Sequence, residues 1–315
     1  MNRALACFAL SLLAACSAQS SGPGEATSAF RGTVELGECA DGAPDVQLVR
    51  GNAEAAPGVI AAVCGNLDAQ NALTLSKGAL AVSGDWLARA PARVGGAAFV
   101  NGNLRASDQV TIDGVLHTDA SNLANVTAAS VAAAGTAPSN PLECAQAPVS
   151  AEAIARIEAN GVIDMGDALT QHSETASVTL GCARYRFSSW GIDNDLVLHI
   201  TASTVIVIDG NVRIAAPVHI ELAPDAKLDL IVGGTLQVDS ALSLTGGSTW
   251  LGVGGDLRLA APVTLDGSLF APRSDAALDD TLDINGALFV GGLRITAPLT
   301  VTALPGSEPG CAQLL

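Results

Sequence analysis

The sequence contains very little lysine and few aromatic residues. Lys77 and Lys227 are its lysines, whereas aspartate and glutamate total 31 and the formal net charge is −16. A surface of this sign is a poor partner for nucleic acid and for anionic lipid head groups. Aromatic residues make up 3% of the chain although 49% of it is apolar. The predicted core therefore consists of small aliphatic side chains, which suit a narrow interior.

The chain also lacks the patterns that mark catalytic and metal sites. No C-x-x-C spacing, calcium-binding G-G-x-G-x-D nonapeptide, Ser/His/Asp order or nucleophile elbow occurs. The histidines lie far apart, which favours ordinary surface positions. We therefore predict a protein without catalytic residues, cofactor or metal site. These histidines are His117, His172, His199 and His219.

Two acidic groups and the tryptophans are weaker candidates for a site. Asp193 and Asp195 have a spacing that suits Ca²⁺, but a polar loop explains it as well. Asp279, Asp280 and Asp283 resemble a glycosidase carboxylate pair, but adjacent aspartates are also common on surfaces. Three tryptophans make a thin platform for stacking on sugars. They are Trp86, Trp190 and Trp250.

An eleven-residue pattern recurs along the chain. Its leading glycines are Gly65, Gly102, Gly210, Gly234 and Gly255, and a copy from Gly292 is one residue shorter. The copies are GNLDAQNALTL, GNLRASDQVTI, GNVRIAAPVHI, GTLQVDSALSL, GDLRLAAPVTL and GLRITAPLTV.

Within each copy, apolar residues alternate with polar ones. In the copy from Gly255 they are Leu257, Leu259, Val263 and Leu265. This period of two predicts two short strands that face one interior. Residues 260–262 end in proline and predict a bend between the strands. The leading glycine predicts a corner with a positive φ or a close backbone approach.

The spacing of the copies favours a β-solenoid. Successive leading glycines are separated by 37, 108, 24, 21 and 37 residues. The intervals of 24 and 21 fit single coils, and each interval of 37 fits two. We predict an all-β, single-stranded parallel β-helix. An antiparallel meander or sandwich is the alternative, but it has no reason to repeat one corner motif at both ends of the chain.

The N-terminus predicts export and lipidation. Residues 1–15 have the short apolar core of a signal peptide, too short for a permanent membrane span. The sequence Leu13-Ala14-Ala15-Cys16 resembles the lipobox of bacterial lipoproteins. The resemblance implies cleavage before Cys16, acylation there, for instance by palmitate, and, because Ser17 follows, an outer-membrane address. The alternative is a secreted protein whose cleavage site happens to contain cysteine.

The rest of the chain predicts one domain with an insertion. After a tether at 16–29, we predict a solenoid over 30–302, in which residues 30–63 wrap or cap the first coil. An insertion at about 122–195 contains a short helix from Ala151 to about Asn160. Residues 303–315 form a tail or cap, and a loop is predicted from Pro272 to Asp280.

Five cysteines remain after processing, and an oxidising envelope favours disulfides between them. Many arrangements of two bridges are possible. We favour Cys39 with Cys64 and Cys144 with Cys182, which leaves Cys311 near the C-terminus.

The coils, with stretches such as Ile284-Asn-Gly-Ala-Leu-Phe-Val-Gly-Gly292, resemble repeats of bacterial envelope lipoproteins and pilus-associated proteins. They are also similar to bactofilin-like polymer-forming solenoids. The likeness covers residues 182–301 best and implies the fold, but it carries over no functional residue. Bactofilins differ in being cytoplasmic and in lacking disulfides and a long insertion.

These features favour a lipid-anchored, non-enzymatic solenoid of the outer membrane, on its periplasmic face or at the cell surface, with a structural, adhesive or scaffold role. A polysaccharide-binding or polysaccharide-active β-helix is one alternative, and a self-assembling filament is another. The predicted partners are the membrane through the anchor and an envelope polysaccharide or another envelope protein.

Overall fold

The computed structural model describes residues 32–36, 58–120, 122–134, 162–166 and 176–303, and only the backbone of residues 32–36. Within these ranges the chain forms 26 β-strands. The strands are β1 (Gly32–Leu36), β2 (Val59–Val63), β3 (Leu67–Ala69), β4 (Leu73–Leu75), β5 (Ala79–Val82), β6 (Trp86–Ala88), β7 (Ala92–Val94), β8 (Ala98–Val100), β9 (Leu104–Ala106), β10 (Val110–Thr118), β11 (Val126–Ala132), β12 (Ile163–Gly166), β13 (Ala176–Leu180), β14 (Arg184–Phe187), β15 (Trp190–Ile192), β16 (Leu196–Ile200), β17 (Thr204–Ile208), β18 (Val212–Ile214), β19 (Val218–Leu222), β20 (Lys227–Val232), β21 (Leu236–Val238), β22 (Leu242–Val253), β23 (Leu257–Leu259), β24 (Val263–Leu278), β25 (Leu282–Ile295) and β26 (Leu299–Thr302).

The strands form a parallel β-solenoid of about ten turns, which confirms the predicted fold class. Each strand pairs in parallel with strands one turn away, as Leu236 does with Leu257. An interval of 37 residues does correspond to two turns, because Leu67 pairs with Trp86 and Trp86 with Leu104. The predicted helix over 151–160 lies outside the described residues. No helix in the described ranges is long and apolar enough to cross a membrane.

The core is built from the alternating apolar positions of the repeat. Leu257, Leu259, Val263 and Leu265 are all buried, as the period of two predicts. Side chains of successive turns stack on one another in the interior, so each turn buries its apolar face only because a neighbouring turn covers it. The bend at Pro262 is also present, and its carbonyl oxygen accepts a hydrogen bond from the Leu242 amide at 3.0 Å.

The leading glycine of the repeat marks a close approach of two turns. A Cβ atom on Gly255 would lie 2.8 Å from the carbonyl carbon and oxygen of Gly234 in the turn below. That distance is too short for a side chain, so the glycine lets the corners stack at strand spacing. Of the two reasons predicted for this glycine, close approach is the one that applies at Gly255.

The order of the turns in space differs from their order in the chain. Strand β2 pairs with β25 on one side and β5 on the other, β3 pairs with β25, and β4 pairs with β26. Residues 58–134 therefore stack on the last turns of residues 176–303. We call this junction the seam. The stack has two ends: at the lower end β1 pairs with β13 and β12 with β14, and at the upper end β11 pairs with β10.

This order corrects the predicted caps. The predicted cap over 30–63 is wrong in part, because Val59–Val63 is a buried strand in the middle of the stack. The strand before the predicted C-terminal cap, β26, lies between β25 and β4, so the tail starts midway along the solenoid. Where residues 304–315 go lies outside the described residues.

Two predicted irregular segments contain regular strands. Both ends of the proposed insertion over 122–195 are turns of the solenoid, since β11 pairs with β10, and β13 pairs with β1 and β16. The loop predicted from Pro272 to Asp280 is wrong for most of its length, because β24 continues through it to Leu278. Apolar residues that follow the proline sustain the strand, and Ala276 and Leu278 are buried.

Candidate functional site

The solenoid has three faces, which we name by the strands they contain. Face A holds β1, β13, β16, β19, β26, β4 and β7 with the first parts of β22, β24, β25, β10 and β11. Face B holds β12, β14, β17, β20, β2, β5 and β8 with the following parts of those long strands. Face C holds β15, β18, β21, β23, β3, β6 and β9 with the last parts of β24 and β25.

Face A carries a continuous outward column of mostly short polar side chains, which we call the polar ladder. Register pairs connect its members from one end of the face to the other and cross the seam where Thr300 pairs with Thr74. All of them are exposed or half-buried. In spatial order they are Ser177, Val197, His219, Ser243, Thr264, Asp283, Thr300, Thr74, Arg93, Thr111 and Thr127.

Side chains beside the ladder, and Arg93 within it, form hydrogen bonds and ion pairs between neighbouring turns. The hydroxyls of Ser76 and Thr302 share a hydrogen bond of 2.7 Å across the seam. Such contacts link outward side chains of neighbouring turns, whose spacing is fixed by the hydrogen bonds between the strands. The other pairs are Asn285 Nδ2 with Asp266 Oδ1 at 2.8 Å, His199 Nδ1 with Glu221 Oε2 at 3.1 Å, and Arg93 Nη2 with Asp113 Oδ2 at 3.1 Å.

Two shallow depressions lie along the edge of face A near the upper end of the stack. Gln109 lines both of them, Thr74, Arg93 and Thr111 line one, and Thr127 lines the other. Hydroxyl, amide and guanidinium groups thus converge on open concavities beside the ladder. Groups of this kind donate and accept hydrogen bonds, which suits a polyhydroxylated ligand.

Ion pairs connect neighbouring turns on face C. Arg213 lies 3.2 Å from Asp239 on one side and 3.7 Å from Asp193 on the other. Arg294 is 3.8 Å from Asp279. Two of the aspartates that were candidates for a calcium or glycosidase site therefore pair with arginines of neighbouring turns.

The remaining carboxylates of these candidates do not form a cluster. The amide and hydroxyl of Thr281 donate to Asp280 at 2.7 and 3.2 Å, and Asp283 belongs to the ladder on face A. Asp195 is exposed at the start of β16. Within the described ranges, no group of three or more His, Cys, Asp and Glu side chains is placed to hold a metal ion.

The histidines of the described ranges occupy separate positions. His199 and His219 point outward from face A, as their place in the alternating pattern predicts. His117 stacks on Phe99 with the ring centroids 4.5 Å apart. His172 lies outside the described residues.

The tryptophans do not form a sugar-stacking platform. Trp86, Trp190 and Trp250 are 0%, 3% and 7% exposed, so this use of them is wrong. Trp86 and Trp190 fill the core between short aliphatic side chains, where an indole adds more buried area than any other residue. A signal was available for Trp86, which follows Gly84 by two residues, as the inward Leu257 follows Gly255 in the repeat.

The cysteines give a divided result. Cys182 carries a free thiol and is half-buried, so the favoured pair with Cys144 is not formed. Cys64 is disulfide-bonded to a residue outside the described ranges. Its pairing with Cys39 stays a prediction. Cys16 and Cys144 also lie outside the described residues.

Corners between face B and face C carry a smaller polar column. The Asn66 side chain accepts a hydrogen bond from the Asp85 amide at 2.9 Å, and Asp85 in turn accepts from the backbone and side-chain amides of Asn103 at 2.8 and 3.1 Å. The backbone bond from Asn103, followed by the side-chain bond, lowers the pKa of Asp85 from its ordinary value. The charged carboxylate is therefore part of the corner, which has a structural role.

No curated protein and no solved structure matches the chain. The match to a protein family covers the second part of the chain. Residues 145–303, about half of the chain, match a family model described as "Domain of unknown function (DUF7305)". The match includes β12 to β26 and leaves out the turns of residues 58–134. It lends no support to the resemblance to envelope lipoproteins or bactofilins. The chain therefore belongs to the family described as Domain of unknown function (DUF7305).

Proposed function

We propose that the protein is a lipid-anchored, non-enzymatic solenoid of the bacterial outer membrane with a structural and adhesive role. The polar ladder is the observation that carries this proposal, and we assign it as the contact surface. Its partner is an envelope polysaccharide, and another envelope protein is the alternative.

The geometry of face A suits an extended repeating ligand. Outward side chains recur once per turn, about 4.8 Å apart along the axis. Their hydroxyls and the Asp283 carboxylate offer hydrogen-bond donors and acceptors on turns of fixed spacing, so binding requires little ordering of the backbone. A rigid row of weak contacts gains affinity by being engaged many times along one polymer chain.

The charge of the chain restricts which polymers fit. With a formal net charge of −16, the surface repels strongly acidic chains unless cations intervene. Arg93 is the one arginine among the ladder residues, and its guanidinium is already paired with the Asp113 carboxylate. A neutral or weakly charged polysaccharide is therefore the expected ligand.

The ladder is tested by removing hydroxyls without changing side-chain shape. A variant with Thr74→Val, Thr111→Val and Thr300→Val should lose most of its binding to isolated envelope polysaccharide, measured by co-sedimentation, because three hydroxyls within four successive turns of the ladder are lost. A control with Gln237→Val and Ala277→Val adds apolar surface on face C and should bind as the wild type does. Unchanged binding by the face A variant would refute the ladder as the contact surface.

The anchor is tested at Cys16. Replacing it with serine should move the protein from the membrane fraction to the soluble fraction of fractionated cells, because the acylated sulfur is lost. Ser17→Ala keeps the cysteine and is the matched control. A wild-type protein that is already soluble would contradict the anchor.

A second candidate function is end-to-end self-assembly. Among the described residues, the large hydrophobic side chains that are exposed are Val131 in β11 and Ile163 in β12, at 55% and 42%. These strands lie at opposite ends of the stack, where open strand edges favour pairing with another chain. Light-scattering mass of the purified protein separates the candidates, since assembly requires a mass above that of one chain.

A further inference from the structure

One column of outward side chains on face B is apolar, unlike the polar ladder of face A. This register column runs through the short strands β17, β20, β2 and β5 and through the long strands β22, β24 and β25 between them, and its side chains point away from the core. We call the six apolar side chains of this column the outer stripe, and Gly252 stands between the second and the third of them. They are Val207, Ile231, Phe270, Phe289, Ala62 and Ala81.

These outward side chains are nevertheless buried. Phe270 is 2% exposed, Phe289 3% and Ile231 3%, and Trp250 in the adjoining column is 7% exposed. Outward residues of face A are likewise flanked by strands of the two neighbouring turns, but they remain accessible, as Thr264 and Thr300 do. Neighbouring turns alone therefore do not bury such positions. A further part of the molecule covers the outer stripe, and within the described ranges no strand packs over it.

Both ends of one connecting segment meet this face. Strand β11 finishes on face B, where Ala132 pairs with His117, which stacks on Phe99 just above the stripe. Val162, the first described residue after the segment, packs against the same buried cluster as the stripe. Residues 135–161 thus leave face B at its upper end and return to it at its lower end.

The length of this segment suits a path along the stripe. From β11 down to β12 the axial rise is roughly 50 Å for turns about 4.8 Å apart. Twenty-seven residues reach up to roughly 90 Å when extended, so they span the distance with enough slack for the helix predicted at 151–160. That helix would place Ile154 and Ile157 on one side.

Other segments outside the described ranges fit the stripe less well. Residues 37–57 begin beside β1 at the lower end and finish at β2 in the middle of the stack. Residues 304–315 begin after β26, also midway. Neither has an end at the top of face B, whereas the covered positions continue above the seam to Ala81.

We propose that the outer stripe is the docking surface for residues 135–161, with Ile154 and Ile157 against it. The solenoid is then a two-layered structure on face B and a bare sheet on face A. This assignment is independent of the proposed function, because it concerns face B, whereas the proposed ligand binds face A.

The docking is tested with Trp250 as a reporter. In full-length protein, Ile154→Ser with Ile157→Ser should give a severalfold rise in acrylamide quenching of Trp250, obtained by difference from the same protein with Trp250→Phe. Glu152→Ser with Arg156→Ser changes the opposite side of the predicted helix and should leave quenching unchanged. No rise in the first variant would overturn the proposal, as would a rise caused instead by Val46→Ser with Leu48→Ser.

A second measurement does not depend on a destabilising change. Benzoylphenylalanine placed at position 157 should photo-cross-link to peptides of face B, identified by mass spectrometry, in strands β17, β20, β22, β24 or β25. Cross-links confined to face A or face C would overturn the assignment.

Discussion

Replacing Gly286 with alanine should be among the most damaging single-methyl changes in the solenoid. Gly286 has a φ of +154° and lies directly above Gly267 in the register of β24 and β25. A Cβ atom there would collide with the carbonyl oxygen of Gly267. Two turns would have to separate, so we expect a loss of about 3–5 kcal/mol, measured by urea unfolding followed by circular dichroism.

The control for this change is Gly166→Ala. Gly166 also has a positive φ, +51°, but a Cβ there would meet no atom within 4 Å. Alanine in that conformation costs about 1–2 kcal/mol from backbone strain alone. The difference between the two variants measures the close approach of the turns. Equal losses would show that strain, not stacking, dominates at Gly286.

Placing a carboxylate in the seam should separate the two blocks of turns. Leu73 is 2% exposed and stacks between Leu299 and Ala92. Leu73→Asp buries an unpaired charge at the junction, which we expect to cost about 4 kcal/mol or more. In hydrogen exchange followed by mass spectrometry, residues 58–134 should exchange quickly while residues 176–303 remain protected.

Thr74→Asp is the matched control for the seam. Thr74 is the next residue of the same strand, and it points out of face A beside Arg93. The same new charge there stays in water, so both blocks should keep their protection. If Leu73→Asp loosens both blocks equally, then the seam is not a boundary between separately stable parts.

Local structure could be predicted from the sequence because the repeat encodes it. Alternation identified the inward positions, glycine the corners and proline the bends, and the register confirms these at Leu257, Gly255 and Pro262. These features depend on residues close together in the chain, which a sequence pattern reports directly.

The order of turns could not be predicted in the same way. Leu299 and Val301 stack on Leu73 and Leu75 with the same chemistry by which Leu242 and Leu244 stack on Val263 and Leu265. Every turn offers similar aliphatic side chains and similar free backbone groups to its neighbour. Nothing in one copy of the repeat specifies which other copy lies beneath it.

The buried outward side of face B did leave a signal. Strands buried on both sides are apolar throughout rather than alternating. Val59–Val63 and Thr204–Ile208 have this character, and all their residues are buried. Residues 205–208 are apolar without alternation, which indicates burial on both sides, but such a run does not show which part of the chain covers its outward side.

Because of the seam, residues 58–134 are synthesised well before the strands on which they stack. Thr302 hydrogen-bonds to Ser76, a residue made 226 positions earlier. At synthesis rates of 5–20 residues per second, residues 58–134 exist for roughly 10–45 s before their foundation in β25 and β26 has been made. During that interval the edges of β2, β3 and β4 that pair with β25 and β26 have no partner strand from this block. The first turns to be translated are thus among the last to find their place, and a chain that stops short of β26 leaves them with part of their base missing.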